Sequence, residues 1–136
     1  MGARKRIKAD EMKKARNEVA FAKLNNCPTS PRKMRLIADL IRGMDVDRAL
    51  AELELNPKEA SSRMQKLLLS ALSNWEAKNE GKRMDDSSLY ISEVKVDSGR
   101  MLKRIQPAPQ GRAHRIRKRS NHVTLVVDSR IKMEVK

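Results

Sequence analysis

The strongest chemical signal in the sequence is a block of positive charge between Ser98 and Val127. This block contains eight Lys or Arg residues and no Asp or Glu, and six of the eight are Arg. Guanidinium groups bind phosphates through forked hydrogen bonds and also stack on nucleobases, whereas ammonium groups act as point charges. The block therefore predicts a phosphate-rich partner, bound through Arg100, Lys103, Arg104, Arg112, Arg115, Arg117, Lys118 and Arg119.

A second basic zone covers residues 1–44, which hold twelve Lys or Arg against four acids. Residues 45–97, between the two zones, carry eight Lys or Arg against eleven acids. A chain with a net charge of +14 and a pI near 10.4 repels itself unless a polyanion such as a nucleic acid binds it. The candidate contacts that this zone contributes are Arg4, Lys5, Arg6, Lys8, Arg35 and Arg42.

The other reactive side chains do not form a catalytic or metal-binding pattern. Neither His114 nor His122 has an acid and a nucleophile at a recognisable spacing, and the sequence has no glycine-rich phosphate loop. The single cysteine, Cys27, cannot form an intramolecular disulfide, and it leaves too few ligands for zinc. We therefore predict no enzymatic activity, no cofactor and no metal. Both histidines are interpreted as surface or nucleic-acid-facing residues, and they join Asn121 among the candidate contacts.

No segment has the pattern of a secretory or membrane-spanning sequence. The first eighteen residues are charged and lack the apolar stretch of a signal peptide. No apolar run approaches the roughly 18 residues of a spanning helix. We expect a cytosolic protein that is soluble at least when its partner is bound.

The elements that must position these cations begin with two helices. Ser30 and Pro31 are typical of the N-cap and the first position of a helix, and apolar residues then recur at helical spacing until Gly43. A second, short helix is expected after Asp45.

A third helix is predicted with Asn56 as its N-cap, Pro57 in its first position and Glu59 completing a box-like cap. Its exposed side is nearly neutral. This argues against the main alternative, a winged-helix DNA-binding protein, because the recognition helix of that class presents a basic face. Its apolar stripe is expected to lie in the core and consists of Ala60, Met64, Leu67, Leu68, Ala71, Leu72 and Trp75.

Strands are predicted on both sides of the three helices. Residues 19–24 favour a short edge strand, and residues 123–127 favour a strand rich in β-branched side chains. A strand that starts at Leu89 changes the phase of its apolar alternation, which predicts a β-bulge near Glu93. Residues 1–17 could form a helix or remain disordered.

The connection between the last two strands is far longer than an ordinary hairpin loop. If both strands continue beyond the core as a ribbon that turns at residues 106–111, each side would reach roughly 30 Å, at about 3.3 Å per residue. An isolated two-stranded ribbon is only marginally stable in water, so it should become ordered when a partner encloses it. The alternative is a solvated linker.

Four segments, taken in order, resemble a known family: SPRKMRLIADLIRG (30–43), DRALAEL (47–53), KLLLSALSNWEAKN (66–79) and VDSGRMLKRIQPAPQGRAHRIRKRSNHVTLVV (96–127). Together they resemble the universal large-subunit ribosomal protein twenty-two family in its bacterial form. The resemblance covers residues 19–128 and leaves the basic N-terminal extension outside the shared pattern.

The resemblance implies an α+β fold in which three helices pack on a small three-stranded antiparallel sheet with a long protruding β-hairpin. It also implies a structural protein of the cytoplasmic ribosome that binds large-subunit ribosomal RNA and supports subunit assembly. Its hairpin tip would line the nascent-peptide exit tunnel near the constriction, close to ribosomal protein four. Neither a membrane nor a second copy of the chain is implied as a partner.

Individual residues follow from the resemblance. Ser30, Arg32 and Lys33 match the start of a helix that contacts RNA phosphates. The segment Leu102 to Arg104 matches an arm segment that the family associates with macrolide sensitivity, and Gly111 to Ala113 match the returning side of the tip. The tunnel-lining residues would be Leu102, Lys103, Arg104, Ile105, Gln106, Pro107, Ala108, Pro109, Gln110, Gly111 and Arg112.

The tip departs from the family pattern at Ala108, Pro109 and Gln110, where bacterial relatives carry arginines around an alanine. The tip of this chain should therefore be less cationic and stiffer. The predicted division of the chain is a basic N-terminal extension (1–18), a globular RNA-binding domain (19–98 and 120–130), an arm (99–119) and a C-terminal tail (131–136).

Overall fold

The computed structural model describes residues 3–79 and 88–130, so the predicted C-terminal tail at 131–136 lies outside the described residues. Within these ranges the elements, in chain order, are α1 (Ala3–Glu18), β1 (Ala20–Cys27), α2 (Pro31–Ile41), α3 (Val46–Leu55), α4 (Glu59–Lys78), β2 (Leu89–Ser98), β3 (Leu102–Pro107), β4 (Ala113–Lys118) and β5 (Asn121–Ser129). The α+β class is confirmed. The described chain has four helices instead of three, because the N-terminal segment whose state the sequence left open is α1.

The strands form two antiparallel sheets. One has three strands in the order β1-β5-β2, and the other is the β3–β4 hairpin, as predicted. In the central strand β5, Val123, Leu125 and Val127 alternate into an aliphatic core, where they are fully or almost fully buried. The predicted bulge is confirmed, because Ile91 pairs with Val127 while Glu93 pairs with Val126. The bulge restores the apolar alternation of β2 to the core face.

The start of α2 follows the prediction, but the start of α4 does not. Ser30 has an extended backbone, and its carbonyl oxygen accepts hydrogen bonds from the Lys33 and Met34 N–H groups at 3.0 and 3.1 Å. The proposed cap of the third helix was wrong by two residues, since α4 begins at Glu59 with Lys58 as its N-cap. The Asn56 side-chain oxygen accepts a hydrogen bond from the Lys58 N–H at 3.2 Å, in a turn that precedes the helix.

Helix side chains bind the outer strand of the sheet at β1. The Asn74 amide on α4 donates to the Phe21 carbonyl at 3.0 Å, and the Lys78 ammonium donates to the Val19 carbonyl at 2.6 Å. Unpaired strand edges invite aggregation unless they are covered or charged. The side chains of α4 therefore protect this edge.

At the opposite edge, β2 is covered by α2 and by the loop that follows it. The Gly43 N–H donates to the Ile91 carbonyl at 3.0 Å, and the Ile91 N–H donates to the Met44 carbonyl at 2.9 Å. Gly43 has a φ of 76°, in the left-handed region where a residue without a Cβ is favoured. None of the helices in the described ranges is both long and apolar enough to cross a membrane.

Candidate nucleic-acid interface

The arm leaves the three-stranded sheet at a short break between the two sheets. Pairing of β2 with β5 ends at Ser98 and Asn121, and pairing of β3 with β4 begins at Leu102 and Lys118. Within the break, the Gly99 N–H donates to the Ser120 carbonyl at 2.8 Å, and the Ser120 hydroxyl donates to the Arg100 carbonyl.

Gly99 is needed at this break because the two strands approach closely. A Cβ at this position would lie 2.6 Å from Ser120 Oγ and 3.2 Å from the Ser120 carbonyl carbon. Real Cβ atoms essentially never come closer than 3.0 Å to such neighbours. The absence of a side chain therefore lets the chain pass from the core sheet into the arm.

The arm closes in the turn that the Pro- and Gly-containing segment predicts. The Ala108 N–H donates to the Arg112 carbonyl at 2.9 Å, so the loop spans residues 108–112. Gln110 and Gly111 both have positive φ, at 61° and 69°. Glycine adopts this conformation freely, whereas glutamine does so at a cost. Gln110 is therefore a strained position in the loop of the arm.

The register of the hairpin determines which arm residues share a face, because directly opposed residues point to the same side and alternate along each strand. One face, here called the Lys103 face, consists of Lys103, Ile105, Pro107, Ala113, Arg115 and Arg117. The other, called the Arg104 face, consists of Leu102, Arg104, Gln106, His114, Ile116 and Lys118.

Both faces of the arm carry cations and exposed apolar side chains. Three cations lie on the Lys103 face and two on the Arg104 face. Ile105 is 73% exposed on the first face, and Leu102 is 52% exposed on the second. A ribbon of this kind gains little by lying on its own domain, and it suits a partner that contacts both faces.

The base of the arm meets the segment that leads into α2. An open cleft of about 320 Å³ lies between them, lined by Pro28, Ser30, Arg117, Lys118 and Arg119. The start of α2, in one basic zone, therefore lies next to the base of the arm, in the other, although residues 45–97 separate the two zones in the sequence. Arg32 and Lys33 lie in the first turn of α2, next to Ser30, and both are exposed.

Arg35 on α2 and Arg42 at its C-cap were predicted as contacts, and both also have a structural role that the sequence did not reveal. Arg35 donates to the Val96 carbonyl at 3.2 Å, and Arg42 donates to the Val94 carbonyl at 3.1 Å. Arg42 also forms an ion pair with Asp39 at 2.7 Å. These arginines attach α2 to the edge of β2, and their remaining donors face solvent. No periodicity in the sequence could have indicated these contacts.

The predicted contacts His114, Asn121 and His122 lie in the basic block between Ser98 and Val127, but they differ in their exposure. His114 is exposed on the arm, whereas the ring of His122 is half-buried and its Nδ1 accepts a hydrogen bond from the Asn26 N–H at 3.0 Å. Asn121 is fully buried, and its amide donates to the Thr29 carbonyl at 2.6 Å. The structure thus gives Asn121 an internal role, and the prediction of an interface contact at this residue was wrong.

Arg4, Lys5, Arg6 and Lys8 all lie on α1 and are exposed. Among the residues in 3–79 and 88–130, no three His, Cys, Asp or Glu side chains are grouped so that they could hold a metal ion. Cys27 is buried in the core. The exposed chemistry of the described chain is therefore dominated by Lys and Arg.

Comparisons with known proteins agree with this arrangement. Residues 22–128 match the family described as "Ribosomal protein L22p/L17e". The chain is 63% identical over 127 residues to the protein of Christiangramia forsetii named "Large ribosomal subunit protein uL22", across 93% of this chain and 94% of the relative. The identically named proteins of Flavobacterium johnsoniae and Bacteroides fragilis are 62% identical over 127 residues and 58% identical over 130 residues. These two alignments cover 93% and 96% of this chain and 93% and 95% of the relatives. The chain therefore belongs to the ribosomal protein L22p/L17e family.

Proposed function

We propose that the chain is a structural constituent of the large ribosomal subunit in the cytoplasm, where it binds ribosomal RNA and supports subunit assembly. The observation that carries this proposal is the arm, a ribbon with cations on both faces and exposed apolar side chains between them. RNA that surrounds the arm would neutralise both faces and cover Leu102 and Ile105. The names of the relatives and the family support the same assignment.

In this function the chain acts through binding energy alone. The cations Arg32 and Lys33 of α2 and the base of the arm at Arg117 to Arg119 hold RNA segments against the domain. Contacts to phosphates fix position and orientation, while RNA shape supplies most of the recognition. The arm loses conformational freedom on docking, and phosphate contacts and apolar burial offset that loss. The extension (1–18) and the arm (99–119) thus provide binding surfaces, and the domain (19–98 and 120–130) supports the arm at its base.

We also propose that the tip of the arm, from residue 102 to residue 112, lines the nascent-peptide exit tunnel near ribosomal protein four. Apart from the half-buried Ala108, the residues of the tip are exposed, and residues 105–111 carry no charge. This uncharged segment would let nascent peptides of either charge pass it without being retained. The RNA-binding cations Lys103, Arg104 and Arg112 flank it on the two sides of the arm.

The first experiment tests the ribosomal assignment with the full chain expressed in a cell of a close relative. The protein should cosediment with large subunits in low salt and persist there in moderate salt. Cross-linking should map the arm, α2 and α1 onto large-subunit RNA. Recovery of the protein only in free or DNA-bound fractions would overturn the proposal.

The second experiment tests the position of the tip. A photoreactive cross-linker attached to Cys in the variant Ala108→Cys should label a nascent peptide on a stalled ribosome. Cys27 is buried, so the unmodified chain serves as the background control. The same cross-linker at Arg48→Cys, on exposed α3, should not label the nascent peptide. Equal labelling from both positions would refute the tunnel assignment.

A further inference from the structure

The helix α1 lies outside the part of the chain that matches the family, which begins at residue 22. Of the α1 residues whose burial is described, all except Ala9 are exposed, including Ile7 and Met12 at 57% and 63%. The helix is therefore not held by burial against the domain. An unsupported helix of 16 residues is marginal in water.

The charges of α1 are separated onto two sides of the helix. At about 3.6 residues per turn, the acids Asp10 and Glu11 fall within one side, and Lys14 lies between them. The opposite side, which covers more than half of the circumference, carries no acid. Its six cations are Arg4, Lys5, Arg6, Lys8, Lys13 and Arg16.

The first turn of α1 is also electrostatically unfavourable for an isolated helix. It contains no acid, whereas Arg4, Lys5 and Arg6 lie close to the positive end of the helix dipole. Like charges spaced four residues apart, such as Arg4 and Lys8, destabilise the helix further. Negative charge along the cationic side removes both sources of repulsion. A row of phosphates thus has the charge distribution that stabilises this helix.

We propose that α1 binds ribosomal RNA as a one-sided helix, with its six-cation side on the phosphates and its acidic side turned away. The identity of the polyanion rests on the function proposed above, whereas the sidedness rests on the charge pattern of α1 itself. The rival is a flexible basic tail, in which every cation has equal access to phosphate. The two differ in the effect of neutralising adjacent lysines.

Lys13 and Lys14 provide a matched pair, because they are adjacent in sequence but about 100° apart around α1, with Lys13 on the six-cation side and Lys14 among the acids. The full-length variants Lys13→Gln and Lys14→Gln are compared with wild type for binding to transcribed large-subunit RNA of Christiangramia forsetii across a salt series. The plot of log affinity against log salt should lose about 0.7 to 0.9 units of slope in Lys13→Gln, the effect of one phosphate contact. It should change little in Lys14→Gln. Equal losses in both variants would overturn the sidedness.

A second pair tests whether the helix itself is required, without any change of charge. Proline is tolerated in the first position of a helix but breaks its interior. Ala3→Pro should therefore leave the salt slope unchanged. Ala9→Pro can begin a helix that stays joined to the domain, but it separates the residues before it, so contacts made by Arg4, Lys5, Arg6 and Lys8 should be lost, roughly 2.8 to 3.6 units for four phosphates. Identical slopes for the two proline variants would show that α1 binds as a tail.

The double variant Arg115→Gln/Arg117→Gln separates failure of this inference from failure of the proposed function. If that variant loses slope while the α1 pairs show no difference, RNA binding stands and the one-sided helix is refuted. If wild type binds the transcript no better than an unrelated RNA of equal length, the proposed function fails instead.

Discussion

Enclosure of the arm by RNA makes a quantitative prediction for the two faces of the hairpin. The Lys103 face is neutralised in the triple variant Lys103→Gln/Arg115→Gln/Arg117→Gln, and the Arg104 face in the double variant Arg104→Gln/Lys118→Gln. None of these five cations forms an ion pair among the described residues. Their loss should therefore affect RNA binding without removing a salt bridge from the domain.

The expected magnitude follows from the number of cations on each face. Each phosphate contact contributes about 0.7 to 0.9 units to the slope of log affinity against log salt. If every cation contacts a phosphate, the Lys103-face variant should lose roughly 2.1 to 2.7 units and the Arg104-face variant roughly 1.4 to 1.8 units. The ratio of the two losses should be close to three to two, because the faces carry three and two cations.

The assay is equilibrium binding of each full-length variant to transcribed large-subunit RNA between low and moderate salt. The control Arg48→Gln/Lys66→Gln removes one Arg and one Lys from exposed positions on α3 and α4, as the Arg104-face variant does from the arm. Its slope should match that of wild type. A loss confined to one face would show that the arm lies flat on RNA. Equal small losses in all three variants would refute the arm as a phosphate clamp.

Two further predictions concern the junction between the arm and the domain. Gly99→Ala should lower the free energy of unfolding by about 1 to 3 kcal/mol in urea denaturation, because its Cβ would meet Ser120 Oγ. Ser120→Ala in the same chain should recover part of this loss, and no recovery would contradict the steric explanation. Asn121→Ala should cost about 1 kcal/mol, since the Thr29 carbonyl would lose its donor, while removal of the buried and unpaired Asn121 Oδ1 offsets part of that loss. The RNA salt slope of the folded Asn121→Ala variant should equal that of wild type, and a reduced slope would mean that Asn121 contacts RNA directly.

The features that the sequence predicted well depend on local patterns. The bulge in β2 follows from parity, because a strand with one buried face cannot change the phase of its apolar residues without an extra residue. The start of α2 follows from a serine and proline pair, and the arm follows from the length of a connection between two strands. Membership of a ribosomal protein family confirms the resemblance and the expectation that the chain is not an enzyme.

The features that sequence reasoning missed depend on contacts between distant residues or on competition between local ones. Asn56 was predicted as the N-cap of α4, but its side-chain oxygen accepts a hydrogen bond in the preceding turn, and Lys58 occupies the N-cap position. Arg35 was predicted only as an RNA contact, although it also bonds to a strand sixty-one residues away. Asn121 follows the last cation of the basic block in sequence but is buried in the domain. Charge patterns therefore indicated the partner, whereas the division of each side chain between fold and interface required the structure.

That division explains why the cations of the arm should contribute more to the salt dependence of binding than cations that are already ion-paired within the domain, such as Arg42. The four ion pairs recorded among residues 3–79 and 88–130 all lie outside the arm, and one of them holds Arg42. The arm has no acid of its own between Ser98 and Val127, so mobile ions neutralise its charge when the chain is free. When RNA binds, it displaces the ions around the arm, and cations condensed on the RNA phosphates are released as well. Because this release is more favourable at low salt, binding becomes stronger as the salt concentration falls. Cations already paired within the domain release fewer ions, so their contribution to the salt slope should be smaller.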